Sequence, residues 1–356
     1  MDTLSALTYG FSVLFTQANL WAVFLGVSIG TFIGVLPGIG PMGTMAILLP
    51  VTYAMTPEAA LIMLAGVFYG SMYGGSTTSI LVNVPGEVSA IVTATEGYQM
   101  AKKGRAGAAL AVAAIGSFVA GTLGLVVLML FAPAIARAAL SFGSPEFFAI
   151  ALLGIFALAR ISGGPFWQSL MLLGFGMAIS TVGLDPVSAA TRYTFHITQL
   201  MQGIDLVPVV MGLYGVAEVL SVAEQGGGLP QVSSVRLREL MPSRAEWRRS
   251  WPAIFRGSGV GFIWGLIPGP AAVISTFVSY RLEKRVSKHP EEWGHGAIEG
   301  VAGPESANNA AASGAMVPLL SLGIPFTPGA AMLLAALLIH GVPTGPLLIS
   351  QRPEIF

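Results

Sequence analysis

Two polar stretches interrupt otherwise apolar sequence, and they carry most of the side chains that could hold a small polar ligand. The first is Tyr73-Gly74-Gly75-Ser76-Thr77-Thr78-Ser79, leading to Asn83-Val84-Pro85-Gly86-Glu87. The second is Gly303-Pro304-Glu305-Ser306-Ala307-Asn308-Asn309, leading to Ser313-Gly314 and Gly323-Ile324-Pro325. Hydroxyls and amides among apolar neighbours are costly unless paired. They therefore mark either interhelical hydrogen bonds or a polar ligand site where two halves of a membrane protein meet. The candidate binding groups are Ser76, Thr77, Thr78 and Asn83 in one stretch, and Asn308, Asn309 and Ser313 in the other. Upstream of each lies a Pro-Gly break, Pro37, Gly38 and Gly40 in the first case and Pro268 and Gly269 in the second. A helix that restarts after such a break points free N–H groups and the positive end of its dipole at the break. Those donors suit an anion, carboxylates above all. The unwound carbonyls and nearby hydroxyls could hold Na⁺. Because no Lys or Arg lies within the break regions, an anion there would be held by dipoles, with a co-bound Na⁺ or H⁺ offsetting its charge. Glu305, beside the second stretch, is the candidate coupling residue.

Other chemistries find no support. The chain has no Cys, which removes thiol nucleophiles, thiolate metal sites and disulfides. His196, His289, His295 and His340 show no metal-ligand spacing. Gly38-Ile39-Gly40-Pro41-Met42-Gly43 matches the dinucleotide-binding fingerprint letter for letter. It lacks a preceding soluble strand and an acidic residue about 20 positions on, and it contains a proline, so it is set aside. No His or Asp is placed in apolar sequence to activate Ser76 or Ser313. No catalytic residue is assigned, no cofactor beyond the coupling ion is expected, and the chain is not read as an enzyme.

The surroundings of these residues are those of a membrane protein. Of 356 residues only 10% are charged, 17 Lys+Arg against 17 Asp+Glu, while 54% are hydrophobic and the mean hydropathy is +0.76. A soluble domain carries about 25% charged residues. The uncharged gaps between Asp2 and Glu58 (55 residues), Glu58 and Glu87 (28) and Arg105 and Arg137 (31) each hold one or two passes. So do those from Arg160 to Asp185, Arg256 to Arg281 and Glu305 to Arg352. Weaker passes are expected near 140–160 and 204–223. Basic clusters at Lys102-Lys103-Arg105, Arg236 to Arg249 and Arg281 to Lys288 mark the cytoplasmic side. Trp247 and Trp251 beside Arg248 and Arg249 point to an interfacial helix. The start lacks a basic n-region, so no cleaved signal peptide is expected. No nucleic-acid partner is expected either.

The spacing of the charges predicts a hairpin that does not cross. Arg256 and Arg281 are both assigned to the cytoplasm, yet the 24 residues between them supply one span of about 36 Å rather than two. Two prolines at Pro268 and Pro270 interrupt the helix there. The chain is therefore expected to dip into the bilayer, turn and return. Gly26, Gly30 and Gly34 precede the first break as Gly257, Gly261 and Gly265 precede the second, an offset of 231. Asn83-Val84-Pro85 and Gly323-Ile324-Pro325 pair at an offset of 240. This predicts an internal duplication, and an odd number of passes between the breaks makes the copies inverted. The expected fold class is an all-α polytopic membrane protein with two inverted repeats, each with a re-entrant or broken-helix hairpin. Residues 1–135 form the first repeat, 136–224 intervening helices, 225–256 a charged cytoplasmic loop, and 257–356 a second repeat. The counterpart of the pass at 107–135 would run past Phe356, so this second repeat is expected to be truncated.

The chain resembles the large membrane subunit of bacterial tripartite tricarboxylate transporters. The matching stretches are Gly34-Val35-Leu36-Pro37-Gly38-Ile39-Gly40-Pro41, Tyr69-Gly70-Ser71-Met72-Tyr73-Gly74-Gly75-Ser76-Thr77-Thr78, Asn83-Val84-Pro85-Gly86-Glu87 and Glu96-Gly97-Tyr98-Gln99-Met100-Ala101. Gly303-Pro304-Glu305-Ser306-Ala307-Asn308-Asn309 and Leu322-Gly323-Ile324-Pro325 complete them. Where Glu96 stands the family usually has Asp. The resemblance implies a permease of the bacterial inner membrane that works with a small membrane subunit and a periplasmic solute-binding protein. It also implies uptake of citrate-like tricarboxylates or related organic acids, driven by an ion gradient. A channel built on the same re-entrant hairpins is the alternative.

Overall fold

A computed structural model describes residues 3–36, 40–139, 165–184, 190–204 and 241–352, with isolated positions elsewhere. Its helices, in chain order, are α1 (Thr3–Leu14), α2 (Gln17–Val35), α3 (Pro41–Leu48), α4 (Pro57–Val82), α5 (Ile91–Lys102), α6 (Ala106–Ala139) and α7 (Phe166–Ser180). After residue 240 come α8 (Arg244–Gly265), α9 (Ala271–Val286), α10 (Glu299–Leu322), α11 (Pro328–Ile339) and α12 (Pro346–Gln351). The one sheet among the described residues is a two-residue pairing of Gly183–Leu184 with Thr191–Arg192. Pro37 and Gly38, and most of the passes expected at 140–160 and 204–223, lie outside the described residues.

Among the described residues three helices, α2, α4 and α6, are long and apolar enough to cross a membrane. The large apolar side chains of α2, α6 and α7 face outward. Phe32 is 76% exposed, Phe118 73% and Trp167 71%. Apolar exposure on this scale suits a surface solvated by lipid.

The glycine ladders decide which helices touch. A methyl group added at Gly26, Gly30 or Gly34 would fall 2.3–2.4 Å from the carbonyl oxygen of Met63, Val67 or Ser71, well inside van der Waals contact distance. Added at Gly257, Gly261 or Gly265 it would strike the carbonyls of Gly303, Ala307 and Ala311. Thus α2 lies backbone to backbone on α4, and α8 on α10, as small-residue interfaces permit. The partners 63, 67 and 71 recur as 303, 307 and 311, an offset of 240, and both pairs run parallel. The reciprocal contacts repeat too, since Gly74 meets the carbonyl of Thr31 and Gly314 that of Phe262. The helix ends match as well: α4 stops at Asn83 (φ 57°) and α10 at Gly323 (φ 76°), both left-handed caps.

Parallel neighbours require the chain to double back between them. In the second case α9 is that return arm. Leu266 to Pro270 form the turn, and Arg256 on α8 donates to both carboxylate oxygens of Glu283 on α9, at 2.8 and 2.5 Å. The two arms are thereby pinned at their open end, the end that carries the basic clusters. Helix α8 begins 13 residues before the boundary expected at 256/257, because Ser243 and Glu246 form a capping box. Trp247 and Trp251, expected on an interfacial helix, sit in the first turns of this arm.

A clasp holds the segment that leads into α10. Arg249 donates to Glu299 at 2.7 and 2.8 Å and to Glu292 at 3.1 and 2.6 Å. Lys103 Nζ reaches the carbonyl of His295 at 2.7 Å. The Arg249 guanidinium holds the Glu292 carboxyl below the usual carboxylate range. A depressed carboxylate contributes stability above its unfolded value and loses it as pH falls through the folded one. Acidification below about pH 4 is therefore expected to loosen residues 289–299, read as faster amide exchange there than in α10. Among the glycines, Gly261→Ala is expected to destabilise by about 1–3 kcal/mol or more through overpacking. Gly259→Ala, where nothing lies within 4 Å, should be neutral or slightly stabilising. Thermal unfolding in detergent compares the two.

Candidate functional site

Helix α10 runs through the middle of the molecule, buried from Glu299 to Leu319. Its polar residues recur at helical spacing, so Glu305, Asn309 and Ser313 share one face. On that face Asn309 Nδ2 donates to Ser117 Oγ of α6 at 2.7 Å and to the Glu305 carbonyl at 3.1 Å. The Ser313 hydroxyl bonds Tyr69 Oη of α4 at 2.8 Å and the Gly121 carbonyl of α6 at 3.2 Å.

Glu305 is 1% exposed. Ser76 Oγ of α4 donates to one of its oxygens at 2.7 Å, and Thr93 Oγ1 of α5 donates to the other. Along α4 the bonded residues run 69 then 76; along α10 their partners run 313 then 305. The two helices therefore pass in opposite directions, and the seam between them is polar and buried. Asn308, fully buried, donates Nδ2 to Glu87 Oε1 at 3.1 Å, while its own Oδ1 has no partner. Ser89 Oγ donates to the same Glu87 oxygen at 2.6 Å.

The structure thus joins Ser76 to Glu305, and brings Asn308, Asn309 and Ser313 onto the same helix turns. Other expected groups are used locally. Thr77 and Thr78 donate to carbonyls of their own helix, those of Tyr73 and Gly75. Asn83 is an exposed left-handed cap. Gly40 is the N-cap of α3, where Thr44 bonds its carbonyl. At the second break, the Gly269 N–H is taken by the carbonyl of Phe326 at 3.1 Å, and Pro268 beside it has no N–H to offer. Free donors expected there are consequently fewer than the break alone implies. Sequence reasoning left Glu87, Thr93, Ser117 and Tyr69 out of the candidate set. Glu87 closes the Asn83 motif and had a signal. Tyr69 opens the family-like stretch that ends at Thr78 and had one too, whereas Thr93 in the mixed helix α5 and Ser117 in apolar α6 had none.

A second buried acid does different work. Glu96 on α5, 0% exposed, accepts from Tyr280 Oη and the Gly294 N–H, both at 2.7 Å, and from the N–H groups of Gly296 and Ala297 at 2.8 and 3.0 Å. Four donors from two elements make it a structural latch for the entry to α10.

Membrane-length helices wrapped around a buried polar seam define an integral membrane protein of the transporter class. The chain belongs to the tripartite tricarboxylate transporter TctA family, whose pattern matches residues 20–356. It is accordingly a permease subunit and not an enzyme. It is 46% identical over all 356 residues to the uncharacterized 52.8 kDa protein in the TAR-I ttuC' 3' region of Agrobacterium vitis, covering 71% of that protein. A second Agrobacterium vitis protein, in the TAR-II ttuC' 3' region, is 51% identical over 96 residues, 27% of this chain and 40% of its own length. No solved structure matches.

Replacing Glu96 by Gln puts an NH₂ group against backbone donors. Stranded buried N–H groups cost about 1–3 kcal/mol each, so Glu96→Gln is expected to lower the thermal midpoint in detergent and expose the segment at 293–297 to protease.

Proposed function

We propose that this permease subunit takes up carboxylates, citrate-like tricarboxylates or related organic acids, across the bacterial inner membrane by cation-coupled alternating access. The observation that carries the reading is the buried seam at which α4 and α10 pass in opposite directions, with Ser76 and Glu305 bonded across it. Each of these helices is the parallel partner of a glycine-laddered helix, and the contacts recur at one offset. An inverted duplication accounts for both facts, and inverted halves that rock about a central site are the architecture of many secondary transporters.

In this reading Ser76, Asn308, Asn309 and Ser313 line the site, and Glu305 is the residue whose charge answers the coupling ion. The breaks at Pro37–Gly40 and Pro268–Gly269 are re-entrant tips that supply backbone groups and move between states. A small membrane subunit and a periplasmic binding protein are its partners, the second delivering the anion and setting much of the choice among carboxylates.

The test is uptake of labelled citrate into vesicles containing the three-part system, with and without an imposed Na⁺ or H⁺ gradient. Gradient-driven accumulation that needs the binding protein is the expected outcome, and Glu305→Gln should reduce it by about tenfold or more, the scale of losing a buried charge-assisted contact. Gradient-independent currents without the binding protein would instead identify a channel.

A further inference from the structure

We propose that Glu305 and Glu87 together hold a single sodium ion, with Asn308 Oδ1 and Ser76 Oγ as neutral ligands. The inference rests on the transport reading above and names its coupling ion and the second acid that binds it.

The two carboxylates come from distant parts of the chain and bracket one turn of α10. The Glu87 side chain lies over Gly75, its Cγ 3.3 Å from where a Cβ of that residue would stand. The next residue, Ser76, donates to Glu305. One turn along from Glu305, Asn308 donates to Glu87. The acids are thus tied to each other twice, through Gly75-Ser76 on one side and through Asn308 on the other.

Among the described residues neither acid forms an ion pair; the pairs there join Arg105, Arg249, Arg256, His289 and Arg352 to other carboxylates. Two carboxylates in a water-poor crevice with no cation are expensive. Hydroxyl and amide donors from Ser76, Thr93, Ser89 and Asn308 disperse part of that charge without neutralising it.

A separate observation points to a ligand. Asn308 is 0% exposed, its amide is fixed against Glu87, and its carbonyl oxygen has no donor. A buried amide oxygen without a donor, on a side chain bonded to one of two unpaired carboxylates, is a group that a cation would satisfy. All the available ligands are oxygen, which selects a hard cation. Nothing here presents the near-ideal octahedron of Mg²⁺, and the transport reading calls for an ion that carries a membrane gradient, which selects Na⁺ over Ca²⁺. One Na⁺ neutralises one of the two carboxylates, and the four donors already named disperse the charge that remains. Glu305 is enclosed, whereas Glu87, Tyr73 and Thr77 are partly exposed, so an ion can enter from the Glu87 side.

The experiment is ²²Na⁺ binding to the purified transporter complex in lipid nanodiscs, with no organic anion present. Saturable binding that K⁺ does not displace is expected for the wild type. Glu305→Gln and Glu87→Gln should each weaken it by about tenfold or more, and Asn308→Ala by less. Gly259→Ala should leave it unchanged. Thermal midpoints without Na⁺ verify that each variant is folded. Should the Gln variants fail to fold, Glu87→Asp and Ser76→Ala take their place, and both are expected to bind Na⁺ more weakly. Wild-type Na⁺ affinity in the folded variants would overturn the site. So would a wild type that binds no Na⁺ and instead exchanges a proton with solvent when the carboxylate is added. Loss of carboxylate uptake with Na⁺ binding intact would overturn the transport reading and leave the ion site standing.

Discussion

Contact between bare backbones at the two glycine ladders sets the distances from which the rest of the structure follows. With any side chain at Gly30 or Gly261, the helices α2 and α4, or α8 and α10, would have to separate. Small residues matter here because lipid tails are as apolar as the helices they solvate. Little is gained by burying one apolar helix against another, and close packing has to supply the attraction. The ladder therefore acts as the positional reference for α4 and α10, and the polar seam forms only because both are held at one depth and in register.

That packing makes it possible for α10 to be polar and buried at once. A helix with Glu305, Ser306, Asn308, Asn309 and Ser313 in its middle would not stay in lipid by itself. Flanked by α4, α5, α6, α8 and α9, it finds a partner for most of these groups inside the protein. The comparison of Glu96 with Glu305 shows how surroundings divide the labour of two buried acids. Glu96 faces three backbone N–H groups and a tyrosine hydroxyl, a fixed set of donors that suits a rigid joint. Glu305 faces only two hydroxyls, which can rotate to accept as well as donate. Its surroundings can re-orient around it, while those of Glu96 are fixed by the backbone.

Much of this arrangement was legible in the amino-acid sequence because it is written in local spacing. The ladders at four-residue intervals mark the two backbone-to-backbone contacts, whose partners recur at an offset of 240, and the proline break at Pro268–Pro270 falls where α8 gives way to α9. The pairing of Ser76 with Glu305, 229 residues apart, is a property of how two helices cross, and no spacing encodes it. The same limit explains Thr77 and Thr78, whose hydroxyls turn back to carbonyls of their own helix, a local bond always within reach of Ser and Thr. The start of α8 is a different case. Ser243 and Glu246 spell a capping box three residues apart, a signal present in the sequence but masked by the surrounding charge, which reads as loop.

The matched backbones carry unmatched chemistry, and this bears on how many sites there can be. At the offset of 240, Glu305 corresponds to Ala65, Asn308 to Phe68, Asn309 to Tyr69 and Ser313 to Tyr73, while Ser76 corresponds to Met316. A duplication that kept its side chains would set two buried acids across the α4–α10 seam, and their repulsion in a low-dielectric interior would be severe. Here one helix supplies the acid and amides, and the other supplies small residues, hydroxyls and rings that close around them. Phe68 fills its place by packing its ring against Gly329 of α11, and Tyr69 turns its hydroxyl across the seam to Ser313. The backbone contacts repeat, while the divergent side chains confine the charged chemistry of the seam to one of its two helices. Divergence at these few positions is enough to turn a repeated pair of backbone contacts into a single polar centre.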